Sequence, residues 1–380
     1  MSFEGDSDSL IGWLGRLCDG WGAEPTSDDG ETPLRVARRD GAFHIEAPWL
    51  DAPVVEPDPF RAAANLAVDL AEAWLAENPD RLTLHCAAAA LDGRLIIFPG
   101  TARAGKSTLA ARLAAAGWDL FADDMLILGG ADERSGSSFG IAPRLRRPLP
   151  PGIGDMFRDF LAAHEGPGDE DYLYLDLPGA VRPRFGKTAR IGAVVLLERG
   201  VPGARIEAAS PGDGVEALLL QNLSPRVGAS GAIGRIAALI EAVPCHVLHY
   251  SDLDDAAELL ARTVRSGAMW MAPDRAAPPA PSGERPAWSG PSEPQFRPAP
   301  GVAVHEVDGV RYLVCARSDG VYRLDDLAFG LWNLMAEPVG TGEAAAIVQS
   351  AFPDRDPDEI ERDVRLFFET LTERDLIRPA

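Results

Sequence analysis

Lysine is almost missing from this chain. Of its 36 basic residues only Lys106 and Lys187 are lysines, and the other 34 are arginines. Where arginine has taken nearly every cationic position, a surviving lysine marks a place that needs a compact ammonium rather than a planar fork. Cysteine is also scarce. Cys18, Cys86, Cys245 and Cys315 are scattered without a CxxC pair, which excludes a zinc-ribbon or disulfide framework and fits a reducing compartment. No run of about 18 apolar residues is present, so no helical membrane span is expected. Met1 to Asp8 lacks the basic start and apolar core of a secretory signal, and a cytoplasmic location is expected. Positive charge is in deficit: 58 acidic residues leave a net charge of −22. That balance disfavours a duplex nucleic acid or an anionic lipid surface as partner.

What is present is an ordinary globular composition. The chain has 380 residues, 46% of them apolar, enough for two or three domains with a real core. Ser9–Trp21 is a helix candidate. Leu34–Ala37 and Ala42–Ala47 read as a hairpin, and Pro59–Glu77 has helical period. Next come a strand-like stretch Leu82–Ala90, an Asp92-Gly93 turn and a buried strand Leu95–Phe98. A glycine-flanked loop Gly100–Ser107, a helix Thr108–Ala116 closed by Gly117, and a strand Asp119–Leu128 follow. Strand, loop, helix and strand in that order imply an α/β core. Residues 129–190 read as irregular. Ile191–Leu197 and Pro244–Tyr250 read as strands, and Val215–Leu223 and Leu253–Val264 as helices. Residues 271–300 then hold nine of the 32 prolines, the composition of an extended linker.

Gly100, Thr101, Ala102, Arg103, Ala104, Gly105, Lys106 and Ser107 fit G-x-x-x-x-G-K-[ST] completely, with Thr108 continuing into the helix. Glycines let the backbone approach phosphate, and the helix start aims free N–H groups at it. Lys106, one of the two lysines, would reach the terminal phosphates, and Ser107 would ligate Mg²⁺. ATP and Mg²⁺ are the expected cofactors. Asp123 and Asp124 interrupt an apolar run, Leu120 to Leu128, where carboxylates are costly unless they meet a metal or a reacting group. One would accept the proton of an attacking hydroxyl and the other hold Mg²⁺. His85 ends Leu82–Leu84 before a run of small residues.

His85-Cys-Ala-Ala-Ala-Ala, the phosphate loop and Phe121-Ala122-Asp123-Asp124 together resemble the HPr kinase/phosphorylase family and its relatives in peptide-modification gene clusters, such as lasso-peptide kinases. The resemblance spans roughly residues 34–265. It implies that Asp123 is the general base, with Asp124 the magnesium carboxylate beside Ser107. It implies that His85 lies beside the phosphoryl-acceptor site. Through Tyr174-Leu-Asp176-Leu-Pro-Gly179 it offers Asp176 as a further magnesium ligand. It also carries a homo-oligomer as an implied assembly. Glu198, at a strand end, and the cations Arg144, Arg146, Arg147, Arg182, Arg184 and Lys187 are further candidates for metal or phosphate contact, and equally for a solvated face.

After the linker, Val302–Val307, Val310–Ala316 and Gly320–Arg323 read as three strands. Asp325 or Asp326 would cap the helix Leu327–Met335. Helices from Thr341 or Gly342 to Ala351 and over Asp356–Arg374 complete the segment. The layout is winged-helix-like, but nine basic against 16 acidic residues over 295–380 disfavour DNA. Val321 to Met335 and the ending Leu371-Thr-Glu-Arg-Asp-Leu-Ile377 resemble the PqqD family of peptide-recognition domains. There a leader peptide adds as a strand to a hairpin edge and packs on the last helix. Carried over, the edge is Arg311, Tyr312, Leu313, Val314 and Cys315, and the opposing helix Asp363–Leu371 offers Val364 and Phe368, which also fit a core.

The expected chain therefore has an N-terminal extension over 1–33, an α/β P-loop kinase core of HPr-kinase type over 34–265, a proline-rich linker over 266–295, and a small α+β PqqD-type domain over 296–380. Its expected activity is ATP-dependent phosphorylation of a Ser/Thr hydroxyl on a ribosomally made precursor peptide. A small-molecule kinase and a nucleotide-gated delivery scaffold are the alternatives.

Overall fold

The computed structural model describes residues 1–5, 8–22, 34–100, 104–129, 134–224, 226–271, 290 and 293–380. Thr101, Ala102, Arg103 and most of the expected linker lie outside the described residues. The chain divides into two compact units, Met1–Val227 with Ala238–Pro273, and Gly228–Ala237 with Asp274–Ala380. No helix among the described residues is long and apolar enough to cross a membrane.

The first unit is built on a nine-stranded mixed sheet. Arg94–Phe98 is buried over its last four residues and lies parallel to Thr188–Arg199, which lies parallel to Cys245–Tyr250. Ala87–Leu91 turns back on Arg94–Phe98 through Asp92 and Gly93, both at positive φ, as the two-residue turn requires. Asp119–Ala122 pairs antiparallel with Ala87–Leu91, so it runs in the same direction as Arg94–Phe98. The carboxyl ends of four strands therefore share one margin of the sheet. In open α/β sheets that margin is where ligands bind.

Two sequence segments read as single strands are broken. Leu82–Ala90 splits into Leu82–Leu84 and Ala87–Leu91, and Asp119–Leu128 splits into Asp119–Ala122 and Leu126–Gly129. The breaks fall at His85-Cys86 and at Asp123 to Met125. Asp123 and Asp124 thus sit at a strand end, not in mid-strand as their apolar surroundings suggested. The reason is pairing. Leu82–Leu84 pairs with Leu126–Gly129, while Ala87–Leu91 pairs with Asp119–Ala122 at the far side of the strand order. Each segment crosses between opposite margins of the sheet within two or three residues, so the sheet curls and the two breaks come together.

The helix Lys106–Ala115 and the helix Leu253–Arg265 pack on this sheet through Leu109, Leu113, Ala257 and Leu260. Arg112, almost wholly buried, is bound to Asp254 at 2.5 Å and ties the two helices together. Asp254 is partly exposed, but removing it would leave the buried guanidinium without this partner, which is costly. A four-stranded sheet carries the predicted hairpin, here Arg35–Arg39 with Ala42–Glu46, and the helices Asp8–Leu17 and Pro59–Glu77 pack beside it through Leu10, Leu14 and Leu66.

In the second unit, Val302–Val307, Val310–Cys315 and Gly320–Leu324 form an antiparallel meander. Three helices, Asp326–Leu334, Thr341–Ala351 and Pro357–Glu373, complete one apolar core with it. Asp325 accepts from the Ala328 amide at 2.7 Å, the predicted cap. The predicted docking edge is overturned. In the order of this sheet Val310–Cys315 is the middle strand, with a partner on each side. Its backbone groups have no free edge to offer. Arg311, Tyr312, Leu313, Val314 and Cys315 are all buried, and Arg311 is held by Glu306 and Asp326 over the Phe329 ring. Val364 and Phe368, 3% and 1% exposed, are core residues of this unit. Among the described residues, Val302–Val307 and Gly320–Leu324 are the outer strands of this sheet.

Candidate active site

A cleft of about 340 Å³ opens at the shared margin of the first unit's sheet. Ala104, Gly105, Lys106, Ser107 and Thr108 line one side, and His85, Asp123 and Asp124 line another. Gly105 precedes the helix at φ +92° with no side-chain cap, so the first amides of the helix are left for a ligand. A Cβ at Gly105 would lie 2.8 Å from the Tyr250 hydroxyl oxygen, so only glycine lets the loop close over that ring. Lys106 is 7% exposed and donates to the Gly100 carbonyl at 2.5 Å. Burial lowers its pKa, while Cys86, Asp124 and Asp123 act in the opposite sense. The Gln221 carboxamide, with its nitrogen facing them, donates to the carbonyls of His85 (2.8 Å) and Gly100 (3.0 Å), linking the strand break to the phosphate loop.

The two aspartates are adjacent but chemically unlike. Asp123 is 5% exposed and accepts from the Arg144 amide at 2.9 Å. Burial, and then the charge of Asp124, push its pKa up to about 7. Asp124 is also partly desolvated. The hydrogen bond from His85, at 2.9 Å, and the charges of Arg144, at 3.0 Å, and Lys106 outweigh burial and hold it below the ordinary carboxylate range. One carboxyl is therefore poised to take a proton near neutrality, and its neighbour stays ionised. Environments that push paired carboxyl groups apart in this way mark separate acid–base and electrostatic roles.

Ser107 and Asp124 are a hydroxyl and an ionised carboxylate in the same cleft, oxygen donors suited to a hard dication. Among the described residues no group of three or more His, Cys, Asp and Glu could enclose a metal by itself. The donor set therefore fits Mg²⁺ that takes its other ligands from phosphate and water.

Not every candidate reaches the cleft. Asp176 is bound to Arg16 at 2.6 Å and is not among the lining residues. Asp176 follows the strand Tyr172–Leu175, whose first residue does line the cleft, so the chain leaves the cleft before it reaches Asp176, and the expected place beside Ser107 and Asp124 is not the one observed. Of the clustered cations, Arg144 and Arg146 line the cleft, both beside the Tyr172 ring. Arg147 pairs with Glu165, and Arg184 with Asp19. Arg182 donates to the Arg16 carbonyl, and Lys187 is exposed and outside the lining. At the end of Thr188–Arg199 it is Arg199, not Glu198, that lines the cleft. Glu198 lies 2.8 Å from His249. Sequence reasoning also passed over Tyr172, Gln221 and Tyr250. Tyr250 and Arg199 could have been found as strand-terminal residues on the ligand-binding margin.

Residues 312–377 match the family model described as coenzyme PQQ synthesis protein D (PqqD). The resemblance read from Val321–Met335 and Leu371–Ile377 is borne out, and the second unit carries a PqqD-type domain. No curated protein matches the chain. Among solved structures, the chain is similar to the Hpr(Ser) kinase/phosphatase from Coxiella burnetii. The identity is 16%, over 49% of this chain and 90% of that chain, with a TM-score of 0.25.

Proposed function

We propose that the chain is an ATP-dependent kinase of HPr-kinase type that phosphorylates a Ser or Thr hydroxyl of a ribosomally made precursor peptide. The observation that carries this reading is the pairing of a buried Asp123, its pKa raised, with an ionised Asp124 in the same cleft as Ala104 to Thr108 of the phosphate-loop motif. Lys106 and the amides at the start of its helix hold the donor's phosphates and meet the charge that develops on transfer. Asp123 accepts the proton of the attacking hydroxyl, and the Arg144 amide fixes its carboxylate. Ser107 and Asp124 would hold Mg²⁺, which supplies charge neutralisation at the phosphates. His85 orients Asp124 and borders the acceptor. Most of the remaining acceleration comes from positioning, because phosphoryl transfer asks little covalent chemistry of the protein.

The PqqD-type domain supports a peptide acceptor. Its leader site is proposed at the outer edge of Gly320–Leu324, by strand addition. That strand reaches the last helix, where the Arg374 guanidinium lies 4.7 Å from the Tyr322 ring centroid. The steady-state test is ADP release with and without full-length precursor. A kinase is stimulated by precursor and silenced by Asp123→Asn. Slow release that ignores the peptide, with Asp123→Asn still supporting modification, would make the protein a delivery scaffold instead.

A further inference from the structure

A second cavity of about 140 Å³ adjoins the phosphate loop, separate from the carboxylates. It shares Gly105, Thr108, Pro150 and Arg199 with the main cleft, and its floor is Tyr250 at the end of Cys245–Tyr250. Tyr250 is 2% exposed, and among the described residues its buried hydroxyl has no hydrogen-bond partner. Burying a hydroxyl without a partner is costly, and native structures seldom leave one so. The site can be read from its neighbours. The hydroxyl lies against Gly105, Thr108 is in the first turn of the loop helix, and Arg199 stands at the matching position of the adjacent strand. A cation, an unused hydroxyl and a helix start converge on one small cavity, which the Asp252 carboxylate also lines, the surroundings of a polar ligand that carries an anionic group rather than of an apolar one. Its other walls are Pro150 to Ile153 and Ser251 to Leu253, more polar than apolar, and Ser251 and the Asp252 carboxylate are partners suited to sugar hydroxyls.

We propose that this cavity takes the sugar and α-phosphate of the nucleotide donor, and that the Tyr250 hydroxyl is a nucleotide-binding group donating to that α-phosphate beside Arg199. The proposal rests on the phosphate-loop reading above. It divides the margin of the sheet: the nucleoside end lies toward Tyr250, the transferred group toward Asp123.

The test is Tyr250→Phe in the full chain, with Mg-ATP and Mg-ADP binding followed by calorimetry and the melting temperature of the nucleotide-free protein by circular dichroism. Loss of one hydrogen bond to a charged group predicts affinity for both nucleotides about tenfold weaker or more. The nucleotide-free variant should melt at the same temperature or higher, since it no longer buries an unused hydroxyl. A structural role would not give these opposite signs. Unchanged affinity, or a lower melting temperature without nucleotide, would overturn the proposal and leave the kinase reading standing. Absence of nucleotide binding by the unaltered protein would overturn the phosphate-loop reading itself.

Discussion

At the scale of single residues, the proposed mechanism gives Asp123 the chemistry, and the fold gives it a cost. Its carboxyl, pushed up to about 7 by burial and by Asp124, must lose its proton to act as base. Phosphorylation should therefore rise with pH, with a midpoint near 7 and a plateau above about 8, as a base of that pKa dictates. The pH profile of kcat/KM, which reports groups of the free enzyme, checks this, and a flat profile across the range would remove Asp123 from the role. Stability runs the other way. The folded pKa lies above the unfolded one, so the folded state holds this proton more tightly. Its contribution is present at low pH and lost as pH rises from about 4 through 7. Asp123→Asn should then raise the melting temperature at pH 8 and change it little at pH 4. The motif residues were legible because their types are rare in their surroundings: one of two lysines, and two carboxylates inside an apolar run. Tyr250 and Arg199 were legible only as strand-terminal residues, since their meaning depends on which strands end side by side.

At the scale of elements, the difficulty lay in where strands break and which strand sits in the middle. Periodicity shows that Leu82–Ala90 and Asp119–Leu128 are extended, but it cannot show that each changes partners at His85 or Asp123. The helices Asp155–Ala163 and Gly228–Ala242 also escaped. The first is short and sits among Gly and Pro, and the second carries three glycines that weaken its propensity. The C-terminal elements were legible within a residue or two, yet the wrong strand was chosen as the edge. In a meander of three, the middle strand is saturated whatever its sequence. Two outcomes follow. On adding leader peptide, amides of Gly320–Leu324 should gain protection from hydrogen exchange, while those of Val310–Cys315, already slow, stay unchanged. New protection confined to Val302–Val307 would move the site to the other edge. Phe368→Ala should destabilise this unit by about 3–5 kcal/mol, the usual loss for a buried phenylalanine, as read from chemical denaturation.

At the scale of the whole molecule, a PqqD-type domain and a unit with a phosphate-loop motif share one chain, and the proposed function gives the first the leader and the second the core peptide. Capturing the leader makes delivery of the core peptide effectively intramolecular. A precursor without its leader should therefore show a KM raised by about 100-fold or more, with kcat little changed, because only the effective concentration is lost. An equal fall in kcat would instead mean that the leader helps to assemble the catalytic groups. The central claim is phosphoryl transfer to a precursor hydroxyl, and mass spectrometry tests it most directly. The protein is incubated with Mg-ATP and the small open reading frames encoded beside its gene. The account predicts a leader-dependent gain of one phosphate in place of one hydrogen on a Ser or Thr, lost in Lys106→Ala and in Asp123→Asn. No gain on peptides that bind tightly, or a gain that survives Asp123→Asn in full, would contradict it.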